Sequence, residues 1–129
     1  MKPVMLACVL VMLAVAGAPV VPAHGQCEAA RAAVAARCPC SANSEGVPWK
    51  SRGRYVGCVK QASGAVARTS ADASCTAVVD RCAARSVCGR AGAVTCIIDG
   101  KCDLEQGEDR CIKRGGRVSG ASSCCDVRS

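Results

Sequence analysis

The apolar positions fall into three successive patterns. Val4 to Val15 is a nearly continuous apolar run behind a single charge, Lys2. Its length suits the hydrophobic stretch of a signal peptide and falls short of a bilayer span. From residue 27 to residue 90 the apolar positions recur at helical spacing. Cys27, Ala30, Val34 and Cys38 share one stripe, Glu28, Arg31 and Arg37 lie off it, and Pro39 ends the helix so predicted over residues 27–38. Tyr55, Val59, Ala62 and Val66, with Cys58 beside them, predict a second helix over 53–68; Gly57 and Gly64 weaken it by about 1 kcal/mol each relative to alanine. Cys75, Val78, Val79, Cys82 and Ser86 predict a third over 72–87, with Thr69, Ser70 and Asp72 as N-cap candidates and Gly89 as its stop. Past residue 90 the pattern turns β-like. Val94–Ile98 is β-prone, Asp99-Gly100 is a two-residue hairpin signal, and Lys101–Leu104 is the returning strand. Glu108–Arg114 predicts a helical turn closed by Gly115-Gly116, and Val118–Cys125 a further strand.

The N-terminal pattern implies export. Small and turn-forming residues from Gly17 to Gly25 follow the apolar run, and cleavage fits after Ala23 or after Gly25. Gly25 is favoured because it leaves Gln26, a residue able to cyclise, at the mature N-terminus. A lipoprotein reading through Met5-Leu6-Ala7-Cys8 fails because no hydrophobic stretch precedes Cys8. The expected organisation is a signal peptide over 1–25, a disulfide-stapled helical module over 26–90, and a cysteine-rich hairpin module over 91–129 bridged to the first. The expected location is secreted, extracellular or periplasmic, with no transmembrane anchor.

Cleavage changes the cysteine arithmetic. Of thirteen cysteines, Cys8 leaves with the signal, and twelve remain: Cys27, Cys38, Cys40, Cys58, Cys75, Cys82, Cys88, Cys96, Cys102, Cys111, Cys124 and Cys125. An even, dense set in a short exported chain reads as a disulfide framework. The mature chain has eleven Val, three Ile, one Leu and no Phe, too few large side chains for an ordinary core. Bridges, at roughly 2–4 kcal/mol each, supply what burial cannot. The fold class expected is therefore small, disulfide-rich and mainly α, with about three short helices and a C-terminal β-hairpin module. Seven cysteines precede residue 90 and five follow it, so full oxidation forces at least one bridge across that boundary. Cys125 is the expected donor, because adjacent Cys124 and Cys125 do not readily bond each other.

Two stretches carry a resemblance. Cys38-Pro39-Cys40, then Trp49-Lys50-Ser51-Arg52-Gly53-Arg54-Tyr55-Val56-Gly57-Cys58-Val59, then Ala83-Ala84-Arg85-Ser86-Val87-Cys88-Gly89-Arg90 resemble a group of exported bacterial cysteine-rich proteins marked by C-P-C, W-K-x-x-G-x-Y-V-x-C-V and A-A-x-S-x-C-G-[KR]. Cys75 and Cys82 lie outside that pattern. Cys96-Ile97-Ile98-Asp99-Gly100-Lys101-Cys102, Cys111, Gly115-Gly116, Gly120 and Cys124 are similar to one copy of a bacterial cell-surface repeat, C-x-x-D-G-x-C…C-x-x-x-G-G-x-x-x-G…C, with one extra residue between Cys102 and Cys111. The resemblance implies export, disulfides and a bacterial origin. It transfers no activity and no catalytic residue.

Charge and chemistry narrow the function classes. Without Lys2, sixteen Lys and Arg face ten Asp and Glu, a net of +6 that favours anionic surfaces without naming one. His24 leaves with the signal, so no histidine remains to serve a serine nucleophile, and there is no G-x-S-x-G elbow. Cys38-Pro39-Cys40 with Cys124-Cys125 invites a thiolate metal site, but no pair of C-x-x-C motifs occurs and the destination is oxidising. Asp99, Asp103, Glu105, Glu108 and Asp109 fit no register of the calcium-loop template and read as a solvated acidic loop balanced by Lys113, Arg114 and Arg117. The expectation is a non-catalytic protein without cofactor or metal, structural or interactive in role, with no nucleic-acid partner. Trp49, Lys50, Arg52, Arg54 and Lys60 are candidate contacts to an anion or glycan, the aromatic stacking on a sugar and the cations meeting its charges. An extracellular protein is the other partner class. The alternative is a secreted effector: a cationic antimicrobial protein, or a protease inhibitor presenting Ser41–Arg54 as its loop.

Overall fold

The computed structural model describes residues 27–69 and 73–127. The signal-peptide reading and the caps proposed at Ser70 and Asp72 lie outside those residues. Four helices and a three-stranded antiparallel sheet make up the fold: α1 (Glu28–Arg37), α2 (Arg52–Thr69), a 3-10 turn (Ala73–Cys75) leading into α3 (Thr76–Ala84), β1 (Ala93–Ile98), β2 (Lys101–Gln106), α4 (Glu108–Lys113) and β3 (Arg117–Val118). The sheet order is β2-β1-β3.

The three long helices follow their stripes, with one early stop. Val34 of α1, Tyr55, Val59 and Ala62 of α2, and Val79 and Ala83 of α3 form one buried cluster. The Cys38 N–H returns to the Val34 carbonyl at 2.9 Å before Pro39 ends α1. Cys27 and Cys75 are the N-caps of α1 and α3, and neither has a side-chain cap. Their sulfurs are bonded to each other, so one disulfide pins the starts of both helices. Thr69 is not an N-cap; it ends α2, and its hydroxyl donates to the Ala65 and Val66 carbonyls. The third helix ends at Ala84, short of the expected residue 87 and of Gly89. Ser86 is still buried, because its hydroxyl turns back to the Ala83 carbonyl at 2.7 Å and its backbone bridges Ser123.

The remaining chain is built on β1. Register Ile98↔Lys101 leaves Asp99 and Gly100 as a two-residue turn with φ of 50° and 74°. Both residues are left-handed, as the primed turn requires, and Gly100 takes that conformation at no steric cost. α4 places Glu108 and Asp109 in its first turn and Lys113 in its last, matching its dipole. The expected strand over 118–125 is a difference. Only Arg117–Val118 pairs with β1. Gly120, at φ 74°, then turns the chain away from the sheet. It pairs instead with the end of the helical part, where the Val87 N–H meets the Ser122 carbonyl and the Cys124 N–H meets the Arg85 carbonyl, at 2.8 and 2.9 Å.

The twelve cysteines among the described residues are all paired: Cys27–Cys75, Cys38–Cys58, Cys40–Cys88, Cys82–Cys125, Cys96–Cys111 and Cys102–Cys124. The crossing bridge that parity demands is Cys82–Cys125. No helix among the described residues is long and apolar enough to cross a membrane.

Candidate functional site

The loop between α1 and α2 is anchored at one end by Cys40–Cys88 and braced in its middle by Asn43. The Asn43 carboxamide oxygen accepts the N–H groups of Glu45 and Val47 at 3.0 and 2.9 Å, and the Asn43 N–H meets the Val47 carbonyl at 2.8 Å. An asparagine that replaces backbone partners in this way holds a turn without a sheet. Three residues that could have belonged to the loop, Arg52 to Arg54, are already the first turn of α2.

An open groove of about 760 Å³ lies between that loop and α2. Trp49 and Lys50 line it from the loop; Arg54, Gly57 and Gln61 line it from the helix. The indole is immobilised. Its Nε1–H donates to the Pro39 carbonyl at 2.8 Å, and its ring meets Tyr55 edge-on, with centroids 5.6 Å apart. Tyr55 belongs to the core, so the groove aromatic is braced by a buried one. A Cβ placed on Gly57 would meet nothing within 4 Å, so the floor is open space rather than a tight helix contact.

The candidate cations divide. Lys50 and Arg54 line the groove; Arg52 and Lys60 do not. The Arg52 guanidinium donates to the Ala84 carbonyl at 3.2 Å, at the end of α3. The Lys60 carbonyl accepts the Ser63 hydroxyl, which also donates to Asp80 at 2.9 Å and ties α2 to α3. Among the described residues every ion pair is made by Arg31 or Arg114, so the cations at the start of α2 have no carboxylate partner. That first turn holds Arg52 and Arg54 and no acid, the reverse of what a helix dipole favours.

The acidic residues near the C-terminus do not converge on one point. Asp99 sits in the turn of β1 and β2, and Glu108 and Asp109 open α4. Asp103 and Glu105 both pair with Arg114, and Glu105, expected in a solvated loop, is a buried residue of β2. Lys113 and Arg117 take no part in these pairs. A smaller crevice, of about 180 Å³, lies between the helices and the C-terminal segment and is lined by Val34, Tyr55, Val59 and Ser86. The Arg31–Asp126 pair, at 2.5 Å, stands at its edge. Burial raises the Tyr55 phenol above its ordinary pKa; Asp126 adds to that, while the Ser86 hydrogen bond and Arg31 oppose it. The sulfurs of Cys38 and Cys40 are taken up in different bridges, to Cys58 and Cys88.

Arg90 was not singled out by sequence, although it ends the Cys88-Gly89-Arg90 motif. Gly89, at φ 71°, rests against the entry to α2: a Cβ there would stand 2.9 Å from the Ser51 carbonyl oxygen and 3.0 Å from the Arg52 Cα. No family model matches the chain, and no match was found among the curated proteins or the solved structures.

Proposed function

We propose that the protein is an exported, bacterial, non-catalytic interaction module that holds an acidic glycan in the groove beside Trp49. One observation carries this: an indole fixed by Pro39 and Tyr55 stands next to Lys50 and Arg54, which have no carboxylate partners, over a floor left open at Gly57. A rigid aromatic face suits the apolar face of a sugar ring, and free cations suit its acidic groups. Six bridges are consistent with an oxidising destination. The resemblance to exported bacterial proteins points the same way, and residues 91–129 read as a hairpin-based unit joined to the helical one.

Affinity electrophoresis of the oxidised protein tests the reading, with dextran sulfate and polygalacturonate as acidic probes and dextran as the neutral one. Retardation is expected with the acidic polymers only, weakened at least about tenfold in Trp49→Ala, which loses one stacking contact. Gly57→Leu is expected to fold normally and to lose binding, because it fills the groove. Retardation unchanged by both variants would leave only a diffuse charge effect and would sink the proposal.

The braced loop also supports a second reading, as a protease inhibitor. Asn43 and the Cys40–Cys88 bridge hold residues 41–51 in one exposed conformation, with Lys50 as the exposed basic residue. Stoichiometric inhibition of a trypsin-like protease, abolished in Lys50→Ala, would favour it over the glycan.

A further inference from the structure

The second helix is the cationic pole of the chain. Over its 18 residues α2 carries Arg52, Arg54, Lys60 and Arg68 and no carboxylate. Of the chain's ten acidic residues, six lie beyond residue 98, so the two signs are separated along the sequence rather than interleaved. A merely solvated helix face usually offsets its bases with acids three or four residues away. This one has none. Among the described residues no cation of α2 enters an ion pair, since all such pairs are made by Arg31 or Arg114.

Helix geometry lines up part of that charge with the groove. Arg54, Gln61 and Arg68 recur every seven residues, so each returns to within about 20° of the last around the axis. Gly57 and Gly64 fall on the same face between them. Arg54, Gly57 and Gln61 already line the groove beside Trp49. Gly64 and Arg68 continue that face beyond it. A Cβ on Gly64 would meet only the Arg68 guanidinium, at 4.0 Å, so the Arg68 side chain folds back over the glycine toward the groove. Arg54, Gln61 and Arg68 are all exposed. The one acid lining the groove, Glu45, belongs to the loop, so the helical face carries no negative charge from end to end.

We propose that the ligand is a linear acidic polysaccharide laid lengthwise on α2, from Trp49 to Arg68, rather than a single acidic sugar. The inference rests on the glycan reading of the groove and extends it to the length and class of the ligand. Arg54 and Arg68 stand about 21 Å apart along the axis, at about 1.5 Å per residue, so one charged sugar cannot meet both. A polymer with repeating charges can. One exposed ionic contact is worth little, but a linear polyanion releases counterions at every cation it meets, and those small gains accumulate along the track. Gln61, between the two arginines, adds an amide that both donates to and accepts from sugar hydroxyls.

The test is a calorimetric titration of the oxidised protein with a galacturonate disaccharide and a galacturonate decasaccharide. Only the longer one reaches from Trp49 to Arg68, and it is expected to bind at least about tenfold tighter. Arg68→Ala should weaken the decasaccharide about threefold and lower the slope of log affinity against log salt, while leaving the disaccharide unchanged. Gln61→Glu, which sets a carboxylate in the middle of the track, should weaken the decasaccharide at least as much. Arg110→Ala, which removes an exposed charge from α4, should change neither affinity. Trp49→Ala should weaken both. Equal affinity for the two lengths, or equal effects of Arg68→Ala and Arg110→Ala, overturns the track; the groove then stands only if Trp49→Ala still weakens binding. Failure of both oligomers to bind refutes the glycan reading and the track with it. Oligothymidylate bound as tightly as the decasaccharide, with the same loss in Arg68→Ala, would make the face a general polyanion site and overturn the choice of a polysaccharide.

Discussion

The two halves of the molecule reach order by different means. In the helical half, valine, alanine and tyrosine side chains from three helices meet in one buried cluster that also takes in Cys38 and Cys88, with Cys40 and Cys58 packed against it. In the half that follows residue 90, the buried side chains are Thr95, Cys96, Glu105, Cys111 and Ser123, and none is aliphatic. The Thr95 hydroxyl lies 2.5 Å from that of Ser119 and donates to the Ala121 carbonyl at 2.7 Å; Glu105 is held by Arg114. Gly116 is packed against the Cys96 sulfur, 2.8 Å separating its would-be Cβ from Ile98 Cγ1. A sulfur bridge and hydrogen bonds there stand in the place of a core. The difference shows that cysteine density alone does not describe how such a protein is stabilised: the same bridge supplements packing in one half and replaces it in the other.

Removing one bridge from each half breaks the comparison most severely. Cys96→Ser with Cys111→Ser should cost about 2–5 kcal/mol and release the sheet, because no aliphatic cluster remains to hold it. Cys38→Ser with Cys58→Ser should leave slow amide exchange in α2 and α3, whose valines still pack. Equal loss of protection in the two halves would show that the helical cluster contributes nothing independent. Gly116→Ala should be the next most damaging, at about 3 kcal/mol, since the new methyl strikes the Cys96 sulfur and the Ile97 carbonyl and neither can yield. A melting point within a degree of wild type would contradict that tight contact.

Val59→Ala probes the other half at smaller cost. Val59 is 2 % exposed, and losing two methyl groups should cost about 2 kcal/mol by chemical denaturation with the bridges intact. The smallest effect is on Tyr55, the only tyrosine, which makes its ultraviolet titration unambiguous. Its folded pKa is raised, so the neutral phenol is favoured by folding. The associated stability is fully present below the ordinary tyrosine pKa and is lost as pH rises through the folded value. Phenolate absorbance should therefore appear at higher pH in the folded chain than in the chain reduced and unfolded in urea. Coincident curves would show that Tyr55 is solvated.

The sequence made some of this legible because local chemistry decides it. Asp99-Gly100 specifies its own turn, and Tyr55, Val59 and Ala62 mark the buried face of α2. Ser86 misled, since it continues the stripe of α3 but is buried through Ser123, a contact that no local pattern announces. Ser63 and Thr95 were silent for the same reason; their partners lie in other elements. The basic-aromatic stretch was visible as a group, but helix geometry sends Arg52 away from Arg54, and only folding brings the Gly89 turn to Arg52. The single legible hint of that contact was the glycine, a residue that a close backbone approach demands.

The two bridges nearest the ends of the described chain have a mechanical consequence. Tension applied ahead of Cys27 passes through its sulfur to Cys75, along the start of α3 to Cys82, and out through the second sulfur pair to Cys125. Every other residue between 27 and 125 lies on a slack covalent side loop. A pull between the ends would draw out only residues 75–82, on the order of 25 Å when fully extended. The groove at Trp49 sits on one of those slack loops. A tethered copy would therefore keep that loop out of the load path until a covalent bond broke.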